Sequence, residues 1–335
     1  MLPLILGLSG PKLTAAERTL FAAADPAGYI LFGRNVQNPV QLRALTDDLR
    51  SLSGRGNLPI LVDQEGGRVQ RLTPPHWRAH PPAELFGRLW DIAPMTAIEA
   101  ARFHAMAIGA ELHAAGISVD CLPLVDVPVA GAHDVIGDRA FGRDPHMVAS
   151  LGAAILSGLR EAGICGIVKH IPGHGRAEAD SHEALPLVTA TAEELTHDLL
   201  PFQKLNDAPM AMTAHVTYAA LDPDHCASVS HKVIEGTIRG DIGFGGLLMC
   251  DDLGMHALAG SLTERMRAAL AAGCDAALHC SGDFAENSAL AEHAPSISTA
   301  ARGRLDAAMI WADAEPDICA DAAERRDALI ESGLA

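Results

Sequence analysis

Residues 165–176 read Cys165-Gly166-Ile167-Val168-Lys169-His170-Ile171-Pro172-Gly173-His174-Gly175-Arg176, and Asp180-Ser181-His182-Glu183 follow closely. The run from Cys165 to Lys169 is short and apolar without alternation, the mark of a strand buried on both faces. It ends in a cation and an imidazole. Pro172 and Gly173 then rule out a regular helix. A buried strand thus delivers titratable groups into a shaped loop, the place where rigid scaffolds carry chemistry.

Seven more short apolar runs share this character: Leu2 to Leu8, Tyr29 to Phe32, Leu58 to Val62, Ile117 to Leu124, Pro209 to Ala214, Gly246 to Cys250 and Asp275 to His279. Helical patterns separate most of them. Thr14-Ala15-Ala16-Glu17, Thr191 to Glu194 and Ser261 to Glu264 are capping boxes that open helices. Asn38-Pro39 and Asp144-Pro145 pair an N-cap with a proline at the first helical position. Leu42, Leu45 and Leu49 form an apolar stripe at helical spacing. An Ala-rich helix is expected from about Thr96 to Ala115, another helix from about Ser230, and C-terminal helices from about Phe284, with loop over Pro74 to Pro82.

Alternating strands and helices make a parallel sheet, and eight repeats suggest closure. The expected fold is α/β, a single-domain (β/α)8 TIM-type barrel over residues 1–335 with extra C-terminal helices. An open doubly wound sheet would carry a Gly-rich turn after its first strand, and Gly7-Leu8-Ser9-Gly10-Pro11 does not match one. Asp63, Asp126, Lys169-His170, His215, Asp251-Asp252 and His279 all fall at the C-terminal ends of expected strands. Chance would put about half of them at the other end. In a barrel these ends form one face, and it is the catalytic one.

The formal net charge of −17 opposes a nucleic-acid partner and anionic lipid. No apolar run approaches the ~18 residues that span a bilayer. Residues 2–8 lack the basic start and cleavage pattern of a signal peptide and read as a first strand. The seven cysteines include no CxxC pair and read as buried free thiols of a reducing compartment. A cytoplasmic protein that acts as a monomer, with no cofactor, nucleic acid or membrane, is expected.

Three chemistries compete for this set of residues. His170, His174, His182 and His215 with nearby aspartates are zinc-ligand types, although Pro172-Gly173 breaks the helix that would make the His170/His174 spacing useful. In a metal-free alternative, Asp251 is a carboxylate against the apolar Leu247–Cys250 run, and Asp180 orients His182 as proton carrier. Retaining glycosidases work with a carboxylate nucleophile and a separate donor, ordinarily a carboxylic acid. The third reading is a sugar- or peptide-binding barrel without catalysis. His174 is expected to bond the loop backbone, His215 to line the pocket or satisfy buried backbone, and Asp252 to cap a helix. Asp63 reads as a ligand for paired hydroxyls or as an ion-pair partner of Arg68 or Arg71.

The combination resembles bacterial glycoside hydrolase family 3, in particular its single-domain β-N-acetylglucosaminidase branch of cell-wall recycling. The resemblance is carried, in order, by Val62-Asp63-Gln64-Glu65-Gly66-Gly67-Arg68-Val69-Gln70-Arg71, Gly137-Asp138-Arg139-Ala140-Phe141-Gly142, Lys169-His170-Ile171-Pro172-Gly173-His174-Gly175, Asp180-Ser181-His182, Met212-Thr213-Ala214-His215-Val216 and Cys250-Asp251-Asp252-Leu253-Gly254-Met255. It implies a (β/α)8 barrel, release of terminal N-acetylglucosamine with retained configuration, and a substrate such as N-acetylglucosaminyl-1,6-anhydromuramic acid with or without stem peptide. It implies Asp251 as nucleophile, His182 with Asp180 as acid/base, and Asp63, Arg71, Arg139, Lys169 and His170 as sugar-binding positions. A neutral imidazole base would also let phosphate compete with water. Gly173 and Gly175 would let a loop carrying His182 close on substrate. Cys250 stands where the family commonly has Ser, and Ile171 where it often has Phe.

Overall fold

The computed structural model describes residues 1–131, 134–177, 185–312, 316 and 319–334. Its strands are β1 (Leu2–Gly7), β2 (Pro26–Leu31), β3 (Ile60–Val62), β4 (Val119–Asp120), β5 (Cys165–Ile171), β6 (Leu187–Val188), β7 (Met210–Thr213), β8 (Thr217–Tyr218), β9 (Leu247–Met249) and β10 (Ala277–His279). Its α-helices are α1 (Ala15–Ala24), α2 (Pro39–Ser53), α3 (Glu84–Trp90), α4 (Pro94–Ala114), α5 (Pro145–Glu161), α6 (Ala192–Lys204), α7 (Leu262–Ala272), α8 (Phe284–His293), α9 (Thr299–Met309) and α10 (Ala322–Leu334).

Eight strands run parallel in the order β10-β1-β2-β3-β4-β5-β7-β9. A parallel bridge between Met249 and Ala276 joins the two ends, so the sheet closes into the expected (β/α)8 barrel. The short β6 and β8 pair with each other outside the ring. The continuous apolarity of the strands has a direct cause. Ile5, Ile30, Leu61, Val119, Ile167, Met210, Met249 and Leu278 fill the barrel interior. Their neighbours Leu4, Leu6, Tyr29, Leu31, Ile60, Val62, Val168 and Leu248 pack beneath the helices. Both faces of each strand are buried, so both parities are apolar.

Local signals operate as their chemistry requires. Thr14/Glu17, Thr191/Glu194 and Ser261/Glu264 form reciprocal capping boxes. Asn38 and Asp144 cap α2 and α5 through their side chains, each before a proline. Several expected boundaries differ. The run Ile117 to Leu124 pairs regularly only over Val119–Asp120, because Pro123 offers no N–H. Pairing resumes at Leu124, which bridges Lys169. Helix α3 is absent from the sequence reading: it is only about two turns long, its N-cap Ala83 makes no side-chain hydrogen bond, and Gly87 lowers its propensity. Gly87 is required by packing, since a Cβ there would lie 1.7 Å from the Phe141 carbonyl oxygen. The helix after Ser230 is a π-helix, Lys232–Asp241.

Cys121, Cys165, Cys226, Cys250 and Cys274 are buried free thiols, as expected, whereas Cys280 and Cys319 are half-buried. No helix among the described residues is long and apolar enough to cross a membrane.

Candidate active site

At the C-terminal face of the barrel lies a cleft of ≈ 220 Å³ whose lining includes Phe32, Asp63, Arg71, Arg139, Lys169, His170, His174, Asp251 and Asp252. The residues come from strand ends and loops far apart in sequence, and the ring of strands brings them together. Asp63 directly follows β3. Asp251 lies two residues beyond β9, four strands further round the ring. At β5 the pairing register with β7 shifts between Lys169 and Ile171. Lys169 and His170 both line the cleft, whereas an unbroken strand would turn successive side chains to opposite faces.

The β3–β5 side is an ion network. Lys169 Nζ lies 3.0 Å from Asp63 Oδ1 and 2.6 Å from Glu65 Oε1. Arg71 Nη2 reaches Asp63 Oδ2 at 3.2 Å. Arg139 grips Glu65 with both arms of its fork, Nε to Oε2 and Nη2 to Oε1, each at 2.8 Å. Burial alone would raise the carboxyl pKa values, but Lys169 with Arg71 holds Asp63 far below the ordinary carboxylate range. Lys169 and Arg139 bring Glu65 down to about 2. Burial opposes the charge on Lys169, yet Glu65 and Asp63 raise its pKa above the usual ammonium value. Asp63, Glu65 and Lys169 are therefore ionised near neutrality, and each cation of the network is held in place before any ligand arrives. Of the two expected ion-pair partners of Asp63, Arg71 is the one used; Arg68 pairs with Asp138 at 2.8 Å.

Asp126 organises the loop after β5. Its Oδ2 lies 2.7 Å from His170 Nδ1, and its Oδ1 accepts from the backbone N–H groups of His170 (3.2 Å) and His174 (2.6 Å). Burial raises its pKa, and His170 more than offsets this. The imidazole of His170 is thereby fixed through Nδ1, leaving Nε2 as the nitrogen that Asp126 does not hold. His174 lines the cleft and stacks edge-on to His170, with ring centroids 5.6 Å apart. Burial and the neighbouring His170 push it down to about 4, so the ring is neutral. Gly173 and Gly175 have packing roles: Tyr218 donates to the Gly173 carbonyl at 2.6 Å, and a Cβ on Gly175 would lie 2.0 Å from the Val127 carbonyl oxygen.

The β9 side is sparse. Asp251 Oδ1 accepts from the Asp252 N–H at 2.8 Å, and among the described residues its other carboxylate oxygen has no hydrogen-bond partner. Asp252 is occupied elsewhere. Its Oδ1 accepts from the N–H groups of Gly254 (3.1 Å) and Cys280 (2.9 Å) and lies 3.6 Å from His279 Nδ1. Asp252 therefore caps a turn rather than a helix; Ser261 caps α7. His215 Nε2 donates to the Asp252 carbonyl at 3.0 Å, which places His215 among the residues that satisfy backbone. Cys250, buried beneath Asp251, is pushed up to about 12 by burial. It is a packed thiol and not a nucleophile.

The cleft gathers Asp63, Arg71, Arg139, Lys169, His170 and Asp251. Asp180 and His182 lie outside the described residues. The sequence reading leaves out Glu65 as a site residue and gives Asp126 a place but no role. Period-2 spacing from Asp63 was the available signal for Glu65; nothing local signals the bond from Asp126 to His170. Among the described residues no three His, Cys, Asp or Glu side chains converge as metal ligands.

The fold and the cleft define a (β/α)8 barrel with carboxylates and cations preset at its catalytic end. The model of the glycosyl hydrolase family 3 N-terminal domain matches residues 5–309, and the chain belongs to this family. It is 38% identical over 310 residues to a beta-hexosaminidase of Aromatoleum aromaticum, covering 91% of this chain and 86% of that protein. A glycoside hydrolase family 3 beta-N-acetylglucosaminidase from Paenibacillus sp. FPU-7 superposes with TM-score 0.88 at 30% identity, covering 98% of this chain and 66% of that one. NagZ from Neisseria gonorrhoeae superposes with TM-score 0.87 at 32% identity, covering 99% and 98%. It has also been solved in complex with N-trifluoroacetyl-D-glucosamine.

Proposed function

We propose that this protein is a retaining exo-β-N-acetylglucosaminidase acting through a covalent glycosyl–Asp251 intermediate. The observation that carries the reading is the contrast within the Asp251–Asp252 pair. Asp252 is consumed by the turn, while Asp251 faces the cleft with one carboxylate oxygen unengaged among the described residues. A carboxylate oxygen in that position attacks the anomeric carbon as the aglycone leaves. Asp63, Arg71, Arg139, Lys169 and His170 hold the hydroxyl and acetamido groups of the terminal sugar. His182, oriented by Asp180, delivers the proton to the leaving oxygen and then takes one from water.

The substrate proposed is a peptidoglycan fragment, N-acetylglucosaminyl-1,6-anhydromuramic acid with or without peptide. The family and the names of its relatives support the N-acetylglucosamine part; the ≈ 220 Å³ cleft suits one terminal sugar. The protein is read as a cytoplasmic monomer, residues 1–335 working as one catalytic unit on the single closed ring.

Intact-protein mass spectrometry after exposure to a 5-fluoro N-acetylglucosaminyl fluoride tests the nucleophile. The ring fluorine slows both steps, while the good leaving group keeps formation fast. An adduct mapping to Asp251 is expected, in wild type and in His182→Ala alike, because an activated leaving group needs little acid assistance. Adduct at Asp252 would move the role to that residue. An active enzyme that forms no adduct would refute the covalent mechanism.

A further inference from the structure

Helix α10, beyond the region matched by the family model, carries a buried arginine. Arg326 is 2% exposed. Its Nη1 lies 2.9 Å from His80 Nδ1 and, at the longer distance of 3.5 Å, from His104 Nδ1. A guanidinium only donates and does not give up its proton, so both Nδ1 atoms accept. Each ring is then neutral, with its hydrogen on Nε2. His80 Nε2 faces Glu111 Oε2 at 3.2 Å, and His104 Nε2 faces the backbone carbonyl of Glu65 at 3.3 Å. A carbonyl only accepts, so the same tautomer of His104 is required from its other end. Burial, with His80 and Arg326 nearby, pushes His104 well below the usual imidazole range.

The turn reached by this chain is Glu65-Gly66-Gly67. Besides the bond from His104, the Gly67 N–H donates to the His80 carbonyl at 2.8 Å. Gly66 has φ +92°, and a Cβ there would lie 2.3 Å from the Pro81 carbonyl oxygen; one on Gly67 would lie 2.8 Å from Pro82 Cβ. The turn is pressed against residues 80–82 with no room to relax toward them. From it the Glu65 side chain enters the network and touches both Lys169 and Arg139.

We propose that Arg326, His80 and His104 are positioning residues for recognition of the terminal sugar: Arg326 sets the tautomers that hold the Glu65 turn, and the turn sets the spacing of Lys169 and Arg139. The inference deepens the proposed function and rests on it for the ligand. It gives α10 a task although no residue of that helix is among the residues lining the cleft.

The test uses the full chain with histidine-selective 15N labelling, the ring signals of His80 and His104 being assigned from His80→Gln and His104→Gln. Both rings are expected as Nε2–H tautomers in wild type, with altered signals in Arg326→Met. In parallel, Arg326→Met and His104→Phe are expected to raise KM for an aryl N-acetylglucosaminide about tenfold with kcat within threefold. His104→Gln, whose amide nitrogen donates from the same place, is expected to stay within about twofold of wild type. Nδ1–H tautomers in wild type, or unchanged KM in both Arg326→Met and His104→Phe, would overturn the proposal. Should Arg326→Met fail to fold, the two His104 variants decide alone. A wild-type enzyme inert toward the glycoside would refute the proposed function instead, while the tautomers still judge the network.

Discussion

Around the cleft, Asp63, Glu65, Lys169, Arg71 and Arg139 hold one another through ion pairs between 2.6 and 3.2 Å. Across the ring, Asp251 accepts a single backbone hydrogen bond among the described residues. The contrast fits the two tasks proposed for these sides. Groups that bind hydroxyls must be fixed beforehand, since ordering long side chains on binding costs affinity. Mutual pairing fixes them and also relieves the cost of burying each charge. A carboxylate that must form a bond needs an oxygen that nothing else occupies.

The sharpest way to break this comparison is Asp251→Asn. It should lower kcat on the order of 10⁴-fold with KM little changed, because the interaction lost exists only at the reacting carbon. Stability should move by less than about 1 kcal/mol, since one backbone hydrogen bond can be kept by the amide. Steady-state kinetics and urea unfolding check both halves. An equal loss in Asp252→Asn, without loss of stability, would erase the distinction between the pair.

Glu65→Gln should show the opposite balance. It removes the anion shared by Lys169 and Arg139 and leaves buried cations underpaired, at a cost of about 3–5 kcal/mol in unfolding free energy. KM should rise more than kcat falls. If urea unfolding shows no change, the network is not what holds that side together.

Acidification acts on the β3–β5 side in two steps. The His174 imidazole takes its proton near pH 4 when folded and near 6.5 when unfolded, so the unfolded chain binds more protons in that interval. Stability therefore rises with pH from about 4 to 6.5 and falls on acidification, by up to about 3 kcal/mol from this ring. Glu65, held at about 2, adds a further loss as pH drops from about 4.5 toward 2. Unfolding curves across this range should be flatter for His174→Asn over the upper interval only.

The smallest effect is expected for Cys250→Ser. The Leu278 N–H already points at Cys250 Sγ at 3.5 Å, and a hydroxyl can accept in its place. A change of about 1 kcal/mol or less and activity within twofold are expected. A large loss of turnover would show that the sulfur shapes the Asp251 turn.

Much of this molecule was open to reading in one dimension. Strands buried on both faces impose apolar residues at every position, and capping boxes close hydrogen bonds within three residues. The barrel and most helix starts follow from such local rules, as does the placing of Asp63, Lys169-His170 and Asp251 at strand ends. Helix α3 escaped because it has neither a side-chain cap nor length. Only the tertiary structure assigned partners. Glu65 serves Lys169 and Arg139 from 104 and 74 positions away, and Asp126 holds His170 across 44. Arg326 meets His80 across 246. Charge pairing acts through space, so the chain order that dictates each strand and cap is silent about which carboxylate a buried cation will face.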